Sequence, residues 1–328
     1  MKKKTFCIVA TCFLLLSGIA KIHAQEQPIK WEGKPILRVF GEYSQGLNSN
    51  TSSRFLLNRS YLGYSIKTNT PWGGMVVLDI LPINGRYQMV PKYASLNYKE
   101  EKFSMEAGLV ETGIGLEHEI EWGHRYVGPA FLYLHGFAAS ADLGVFMEYK
   151  PTDIFKLYAS ITNGEGYCNM AVDSRTQFYA GAHLNTPIGL RLNALAAITP
   201  DLKLGDKEDG YVPRMLLGGM VAYNTKPFRI AAEYNVLLHS HFGKDDSAFQ
   251  GGAIYSTLYL KPQLSVFARW DHVDMNRDNE GKSITKDVIY GGFSYRFNKY
   301  FGLFPYFRYL NLAGQTNASI NLGVDFVF

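Results

Sequence analysis

Apolar and polar residues alternate along most of the chain. Around residue 145, for example, Leu143, Val145 and Met147 share one face while Asp142 and Glu148 lie on the other. A period of two predicts a β-strand with one apolar and one polar face. Sixteen segments have this pattern, approximately at residues 35–44, 54–67, 72–83, 86–99, 101–110, 139–150, 154–164, 174–185, 188–199, 212–225, 227–238, 248–261, 263–273, 285–298, 300–310 and 317–328.

The lengths of these segments and of their connections predict a membrane barrel. Most segments reach ten residues, the length that a tilted strand needs to cross a bilayer. Short turns such as 68–71 alternate with long polar connections such as 163–174 and 199–211. Two connections on the same rim as the long ones, 82–86 and 311–317, are exceptions because they are short. Short turns on one rim and long loops on the other are typical of outer-membrane barrels. We therefore expect an all-β fold, a transmembrane antiparallel β-barrel of about sixteen strands. A soluble β-sandwich is the alternative, but it would favour shorter strands and does not require this asymmetry.

The last segment supports closure of the barrel. Ile320, Leu322, Val324 and Phe326 alternate with smaller or polar residues, and the chain ends on the aromatic Phe328. A free apolar edge strand would invite aggregation. Pairing of the last strand with the first removes that edge and satisfies its backbone groups in lipid.

The N-terminal region predicts export. Three lysines precede an apolar run of about 16 residues, too short for a transmembrane anchor, and small residues follow. We expect a signal peptide at 1–24 and one barrel domain at 25–328.

The charge and cysteine content of the remaining chain exclude two further features. Removing the four lysines of the signal peptide leaves 29 basic and 29 acidic residues, so net charge gives no reason to expect a nucleic-acid partner. Cys168 is then the only cysteine, which excludes an intramolecular disulfide.

Sixteen strands leave an aqueous lumen, and the alternation assigns charged residues to it. Two interpretations of the lumenal arginines compete. They form an anion-attracting wall, or they pair with acids of neighbouring strands. Equal numbers of the two charges favour pairing for most of them, and a few unpaired arginines would then bias selectivity. The predicted lumenal arginines are Arg38, Arg59, Arg191, Arg214, Arg229, Arg269, Arg296 and Arg308, and the predicted lumenal acids are Glu42, Asp79, Glu106, Asp142, Glu148, Glu233, Asp271 and Asp325.

The longest connection, 110–138, is the third loop on the long-loop rim, and we expect this rim to be extracellular. It contains Trp122, Tyr126 and Phe131, which makes it too apolar to extend into water. We expect it to fold into the barrel and narrow the pore, the alternative being a loop packed over the mouth. His118 and His124 are six residues apart, which does not match the metalloprotease spacing, so we expect no metal, cofactor or catalytic residues. The predicted constriction residues are Glu111, Glu117, Glu119, Glu121 and Arg125.

Four stretches resemble the phosphate-selective porin family of the O and P type. They are 55–67, 93–111, 140–151 and 159–167. The resemblance implies a sixteen-stranded outer-membrane barrel, often a homotrimer, that passes small hydrophilic solutes or anions such as phosphate passively. Its partners would be outer-membrane lipid and these solutes, and Phe328 resembles the terminal signal that barrels present to their insertion machinery. Phosphate-selecting members carry an arginine ladder and basic loops, whereas the long connection here is acidic.

Two other functions remain open at this point. A barrel transporter for hydrophobic compounds would need a plug or a lateral opening, and residues 25–34 are too few for a plug. A barrel enzyme would need a serine, a histidine and a carboxylate or amide at the rim, and the sequence shows no such motif around His239, His241 and His272. Passive diffusion through a water-filled lumen is the expected function.

Overall fold

The described part of the chain forms sixteen β-strands and two short helices. The computed structural model describes residues 28–48, 52–169, 175–200, 212–239, 248–277 and 283–328; the predicted signal peptide lies outside these ranges. All sixteen predicted strands are present. In chain order, β1 to β16 are Trp31–Gly46, Arg54–Thr68, Trp72–Ile83, Arg86–Lys99, Phe103–Glu111, Ala141–Thr152, Phe155–Thr162, Gln177–Asn185, Leu190–Thr199, Arg214–Asn224, Phe228–Leu238, Phe249–Lys261, Leu264–Arg277, Ser283–Arg296, Phe301–Leu312 and Gln315–Val327.

The strands form one closed antiparallel barrel. Each strand pairs with its neighbours in the chain, and β1 pairs with β16, where Gly41 lies opposite Val324. The Phe328 N–H donates to the Leu37 carbonyl over 2.8 Å, which carries this pairing to the last residue. The predicted fold class is confirmed. No helix among the described residues is long and apolar enough to span a bilayer.

The outer surface of the barrel is apolar. On β16, Ile320 and Leu322 are about half exposed, at 54% and 48%, whereas Asn321 and Asp325 on the other face are at most 1% exposed. The same alternation recurs around the ring, with large apolar side chains on the outside. Such a surface is stable against lipid tails and not against water.

The connection between β5 and β6, residues 112–140, lies inside the barrel; we call it the lumenal segment. It contains α1, Leu116–Trp122, and α2, Phe131–Leu134. Its side chains reach strands on opposite sides of the ring: Arg125 contacts Tyr61 of β2, and His118 contacts Glu233 of β11. Only a segment within the ring can contact such distant strands at once, as its apolar composition predicts.

Half of the lumen is filled by an aromatic core. Trp122 packs edge-on against Tyr255 of β12 and Phe267 of β13, and the ring of Tyr126 stacks on Phe304 of β15. All five side chains are at most 6% exposed. Their burial holds the lumenal segment against β12–β15.

One irregularity in the sheet changes the lining of the half of the lumen that the aromatic core leaves open. Val77 of β3 pairs with Tyr93 of β4, but the next residue, Leu78, pairs with Pro91, so Lys92 is an extra residue in β4. A β-bulge of this kind re-aims side chains. Here it turns both Lys92 and Tyr93 toward the lumen.

Candidate functional site

Three adjoining cavities run along the half of the lumen that the aromatic core leaves open; together we call them the passage. The upper cavity, about 360 Å³, lies near the long-loop rim; the middle one is about 240 Å³, and the lower one, about 550 Å³, lies near the short-turn rim. Tyr290 and Arg308 line both the upper and the middle cavity, and Arg125 lines both the middle and the lower one. The wall of the passage is built from β14–β16 and β1–β4.

Helix α1 separates the passage from the opposite wall. It ends at Gly123, whose φ of +67° is a left-handed conformation that favours glycine. Leu116 and Ile120 are four residues apart, share one face and line the lower cavity. Glu117 and Glu121 share a different face and meet the wall formed by β7–β11.

Glu117 is bound to that wall by three side chains. Lys156 Nζ donates to its carboxylate over 2.6 Å, Tyr158 donates a short hydrogen bond, and His183 Nε2 lies 3.3 Å away. Burial raises the pKa of Glu117, but Lys156 and Tyr158 outweigh burial and hold this pKa below its usual value. The carboxylate therefore fastens the lumenal segment and does not face the passage.

His118 forms a second attachment, through both of its ring nitrogens. Nδ1 lies 2.6 Å from the Glu233 carboxylate and Nε2 lies 3.0 Å from Asn193 Oδ1, and both partners are acceptors. Burial lowers the pKa of His118, but the Glu233 carboxylate outweighs burial and raises it above its usual value. The side chain is completely buried, so this is an enclosed histidine–glutamate pair.

Glu121 forms the third attachment, to Arg191 of β9 and to Asn224 Nδ2 at 3.2 Å. Glu117 and Glu121 thus lie away from the passage, although the sequence suggested a lining role for both. The reason is that wall residues far away in the chain, Lys156 and Arg191, attract them. Glu119 does line the lower cavity, where it binds Arg125 Nε at 3.1 Å.

Most of the predicted lumenal arginines are held in ion pairs. Asp325 binds both Arg38, at 3.1 Å, and Arg296, at 2.6 Å. Arg269 binds Asp271 at 2.6 Å, and both side chains are fully buried. The other pairs are Arg59 with Asp79 at 3.4 Å, Arg308 with Glu42 at 3.6 Å, and Arg191 with Glu121.

Two arginines bind the backbone of the inner loops. Arg229 donates to the Trp122 carbonyl over 3.0 Å, and Arg214 donates to the Gly164 carbonyl over 3.4 Å. Among the acids, Asp142 accepts from the Gly164 N–H, and Glu148 pairs with Lys150 at 2.7 Å. These contacts hold loops and strands in place.

The predicted acids Glu106 and Glu111 differ from this pattern. Neither carboxylate has a basic side chain within ion-pair distance in the part of the chain that the structure describes. Glu111 lies beside the lower cavity and accepts hydrogen bonds from Tyr93, at 2.9 Å, and Tyr133, at 3.3 Å. Its two oxygens are thereby occupied by phenol groups.

Three cations converge where the middle and lower cavities meet. Arg59 Nη1, Lys92 Nζ and Arg125 Nη2 lie 3.4, 3.4 and 3.5 Å from the hydroxyl oxygen of Tyr61. Burial lowers the pKa of Arg125, but Glu119 outweighs burial and raises it, so Arg125 stays charged. We call Arg59, Lys92, Arg125 and Tyr61 the cation cluster.

Lys92 was missed by the sequence analysis. Strict alternation cannot follow a strand through an extra residue, because every side chain beyond it changes face. The available signal was Pro91, since proline within a strand marks an edge or a bulge.

The two histidines of the 118–124 stretch do not converge. His124 Nε2 lies 2.8 Å from Thr257 Oγ1, and burial together with Arg229 lowers its pKa to about 3, so this ring is neutral. Within the described ranges, no group of three or more His, Cys, Asp or Glu side chains could hold a metal ion.

Comparison with known proteins supports the barrel architecture. No protein-family model matches the sequence, and no curated protein matches it. Similar solved structures include the outer-membrane expressed OmpT of Vibrio cholerae, with 12% identity, a TM-score of 0.66 and coverage of 93% of this chain and 99% of that chain. The anion-selective porin from Comamonas acidovorans has 10% identity, a TM-score of 0.69 and coverage of 91% and 100%. Salmonella typhi OmpF in complex with daunomycin has 12% identity, a TM-score of 0.67 and coverage of 90% and 97%.

These likenesses show the fold. The chain has the architecture of bacterial outer-membrane barrels, and the predicted location in the outer membrane is confirmed. Of these three structures, one is described as an anion-selective porin and none as phosphate-selective.

Proposed function

We propose that this protein is an outer-membrane porin, through which small hydrophilic solutes diffuse passively. The passage is the observation that carries the proposal. Three adjoining cavities follow the lumenal wall from one rim toward the other, and charged and polar side chains occur in each of them. Diffusion needs no catalytic residue and no cofactor, and we propose none.

We further propose that the passage prefers anions. Asp325 is fully buried, whereas its partners Arg38 and Arg296 each expose about a third of their side chains, at 33% and 34%. Arg308 is likewise 33% exposed above Glu42, of which 1% is exposed. A passing ion therefore meets guanidinium groups while most of the paired carboxylates lie behind them, an arrangement that favours anions. Phosphate is the anion that the sequence resemblance suggests.

The partners proposed for the barrel are outer-membrane lipid, two further copies in a homotrimer, and the insertion machinery that would recognise Phe328. The apolar outer surface supports contact with lipid. Phe328 is 61% exposed at the end of β16, so its side chain is accessible to a partner.

Single-channel recording in a planar bilayer tests the porin proposal. Refolded protein should give a stable open conductance, and a salt gradient should give a reversal potential on the anion-selective side. A cation-selective reversal potential would contradict the proposed preference and would indicate that Glu111 and Glu119 dominate. A folded barrel without conductance would contradict the porin function itself.

A further inference from the structure

The lower cavity has a basic end where it meets the middle cavity and a largely apolar body, and Lys34 and Arg38 also belong to its lining. Lys92 and Arg125 stand at the basic end, beside Tyr61. Apolar side chains from β1, β3, α1 and β16 form much of the remainder, and Ile120 is 49% exposed. The main apolar lining residues are Ile36, Met75, Val77, Leu116, Ile120 and Val327. This combination differs from a uniformly hydrophilic pore wall.

The basic end has more hydrogen-bond donors than acceptors. One phenol oxygen offers two lone pairs, yet the Tyr61 hydroxyl faces three cationic groups within 3.5 Å. The nearby carboxylates are already engaged. Glu119 binds Arg125 and the Ala130 N–H, and Glu111 binds two tyrosine hydroxyls.

Among the three cations, Lys92 has the fewest acceptors for its N–H groups, because Arg59 and Arg125 each also bind a carboxylate. The residue is only 6% exposed, and across the described ranges no carboxylate lies within ion-pair distance of its Nζ. The ammonium lies 5.0 Å from the ring centre of Tyr61, 5.3 Å from that of Tyr93 and 5.6 Å from that of Tyr167. Cation–π contacts hold the group in place but do not use up its N–H donors.

We propose that the lower cavity binds small organic carboxylates that carry an apolar body, with benzoate as the simplest example. The carboxylate accepts hydrogen bonds from Lys92 and Arg125, and the body lies on Met75, Leu116 and Ile120. A volume of about 550 Å³ falls in the range of small-molecule sites, which are mostly apolar with a few fixed polar groups. A strongly hydrated inorganic anion would lose water against the apolar lining without compensation. The inference rests on the proposed function, because solutes reach the cavity through the passage.

Isothermal titration calorimetry of the full refolded barrel in detergent tests the site with four probes. Benzoate should bind about tenfold more tightly than benzamide, which lacks the charge, and than acetate, which lacks the apolar body. Inorganic phosphate should bind more weakly than benzoate. Equal binding of acetate and benzoate, or tighter binding of phosphate, would overturn the proposal.

Variants then locate the site. Lys92→Gln should weaken benzoate binding about tenfold, because it removes a charged donor, and Lys92→Arg should largely restore it. Lys299→Gln is the matched control, since Lys299 also lies over a tyrosine ring, Tyr300, but outside the three cavities. If Lys92→Gln does not fold, Ile120→Ser serves instead and should weaken benzoate binding while leaving acetate binding unchanged. Unchanged benzoate affinity in the Lys92 or Ile120 variant, or an equal loss in the Lys299 variant, would refute the site.

Bilayer recording separates this inference from the porin proposal. Benzoate should interrupt the current of the wild-type pore. Benzoate binding to a barrel that carries no current would support the site and contradict the porin function. A steady current from a barrel that does not bind benzoate would support the porin and contradict the site.

Discussion

Arg125 is the residue whose charge should most affect ion selectivity. It comes from the lumenal segment, lines both the middle and the lower cavity, and faces Arg59 and Lys92 across the Tyr61 hydroxyl. Both sides of the passage are therefore basic at this point. Arg125→Gln removes one positive charge there and leaves its partner, Glu119, unpaired at the wall of the lower cavity.

The size of the effect follows from Coulomb's law. Two unit charges about 4 Å apart interact by about 1 kcal/mol in bulk water. Loss of the Arg125 charge raises the energy of a passing anion by about this amount and lowers that of a cation equally. The combined change of about 2 kcal/mol lowers the anion-to-cation permeability ratio about 30-fold at low salt. In about 1 M salt the screening length falls to about 3 Å, so most of the effect should disappear.

Reversal potentials in a salt gradient measure this ratio. Lys156→Gln is the matched control, because it removes the same charge on the other side of α1, where Tyr158 and His183 still hold Glu117. The double variant Glu119→Gln/Arg125→Gln should recover part of the selectivity, since it also removes the unpaired carboxylate.

Two results would refute this reasoning. A shift in the Lys156 variant as large as that in the Arg125 variant would mean that the passage does not lie on the Arg125 side of α1. A shift of the Arg125 variant that persists in about 1 M salt would mean that the mutation changes the shape of the pore and not its field.

Three further predictions concern stability and access. Burial lowers the pKa of His118, but Glu233 outweighs burial and raises it above 6.5, so the stabilisation from this pair is complete below about pH 6.5 and is lost as the pH rises through the raised pKa. His118→Gln should therefore flatten the pH dependence of thermal unfolding above about pH 6.5, and an unchanged profile would contradict the pair. Asp271→Asn leaves the fully buried Arg269 without its carboxylate and should cost about 3–5 kcal/mol in urea unfolding; a loss below about 1 kcal/mol would contradict this assignment. Cys168 lies in the connection after β7, on the long-loop rim that is expected to face the cell exterior, and its side chain is exposed. Neighbouring groups bury the thiol in part and raise its pKa, so an impermeant maleimide should label it on intact cells faster at about pH 8.5 than at about pH 7. Labelling only in lysed cells would contradict this orientation.

The strand arrangement could be predicted from the sequence because the two faces of each strand meet different solvents. Lipid outside and polar groups inside impose the alternation that runs through β16 from Ile320 to Phe326, and closure follows from the need to pair the last strand. Pairing of most lumenal arginines was also foreseeable, because a partly buried charge without a partner of opposite sign is costly.

The details of the passage could not be predicted in this way. The bulge at Lys92 adds one residue and resets the alternation, so the central cation of the cluster was absent from the expected lining. The acidic composition of the long connection was visible in the sequence, but the orientation of its carboxylates depends on Lys156, His183 and Arg191, which are distant in the chain. Local patterns identify which side chains share a face, whereas tertiary contacts decide what that face meets.

The aromatic core within the lumen limits how this barrel can be re-engineered. Deletion of the lumenal segment would not produce a wider pore, because Phe267, Tyr290 and Phe304 would lose the cover of Trp122 and Tyr126 and face water. Exposure costs about 1.5–3 kcal/mol for a large apolar side chain, so the emptied barrel would tend to collapse or aggregate. This half of the lumen is therefore packed like the hydrophobic core of a soluble protein, although it lies inside a membrane barrel. A wider aperture should instead be sought by shortening the side chains of the β1–β4 wall that line the three cavities.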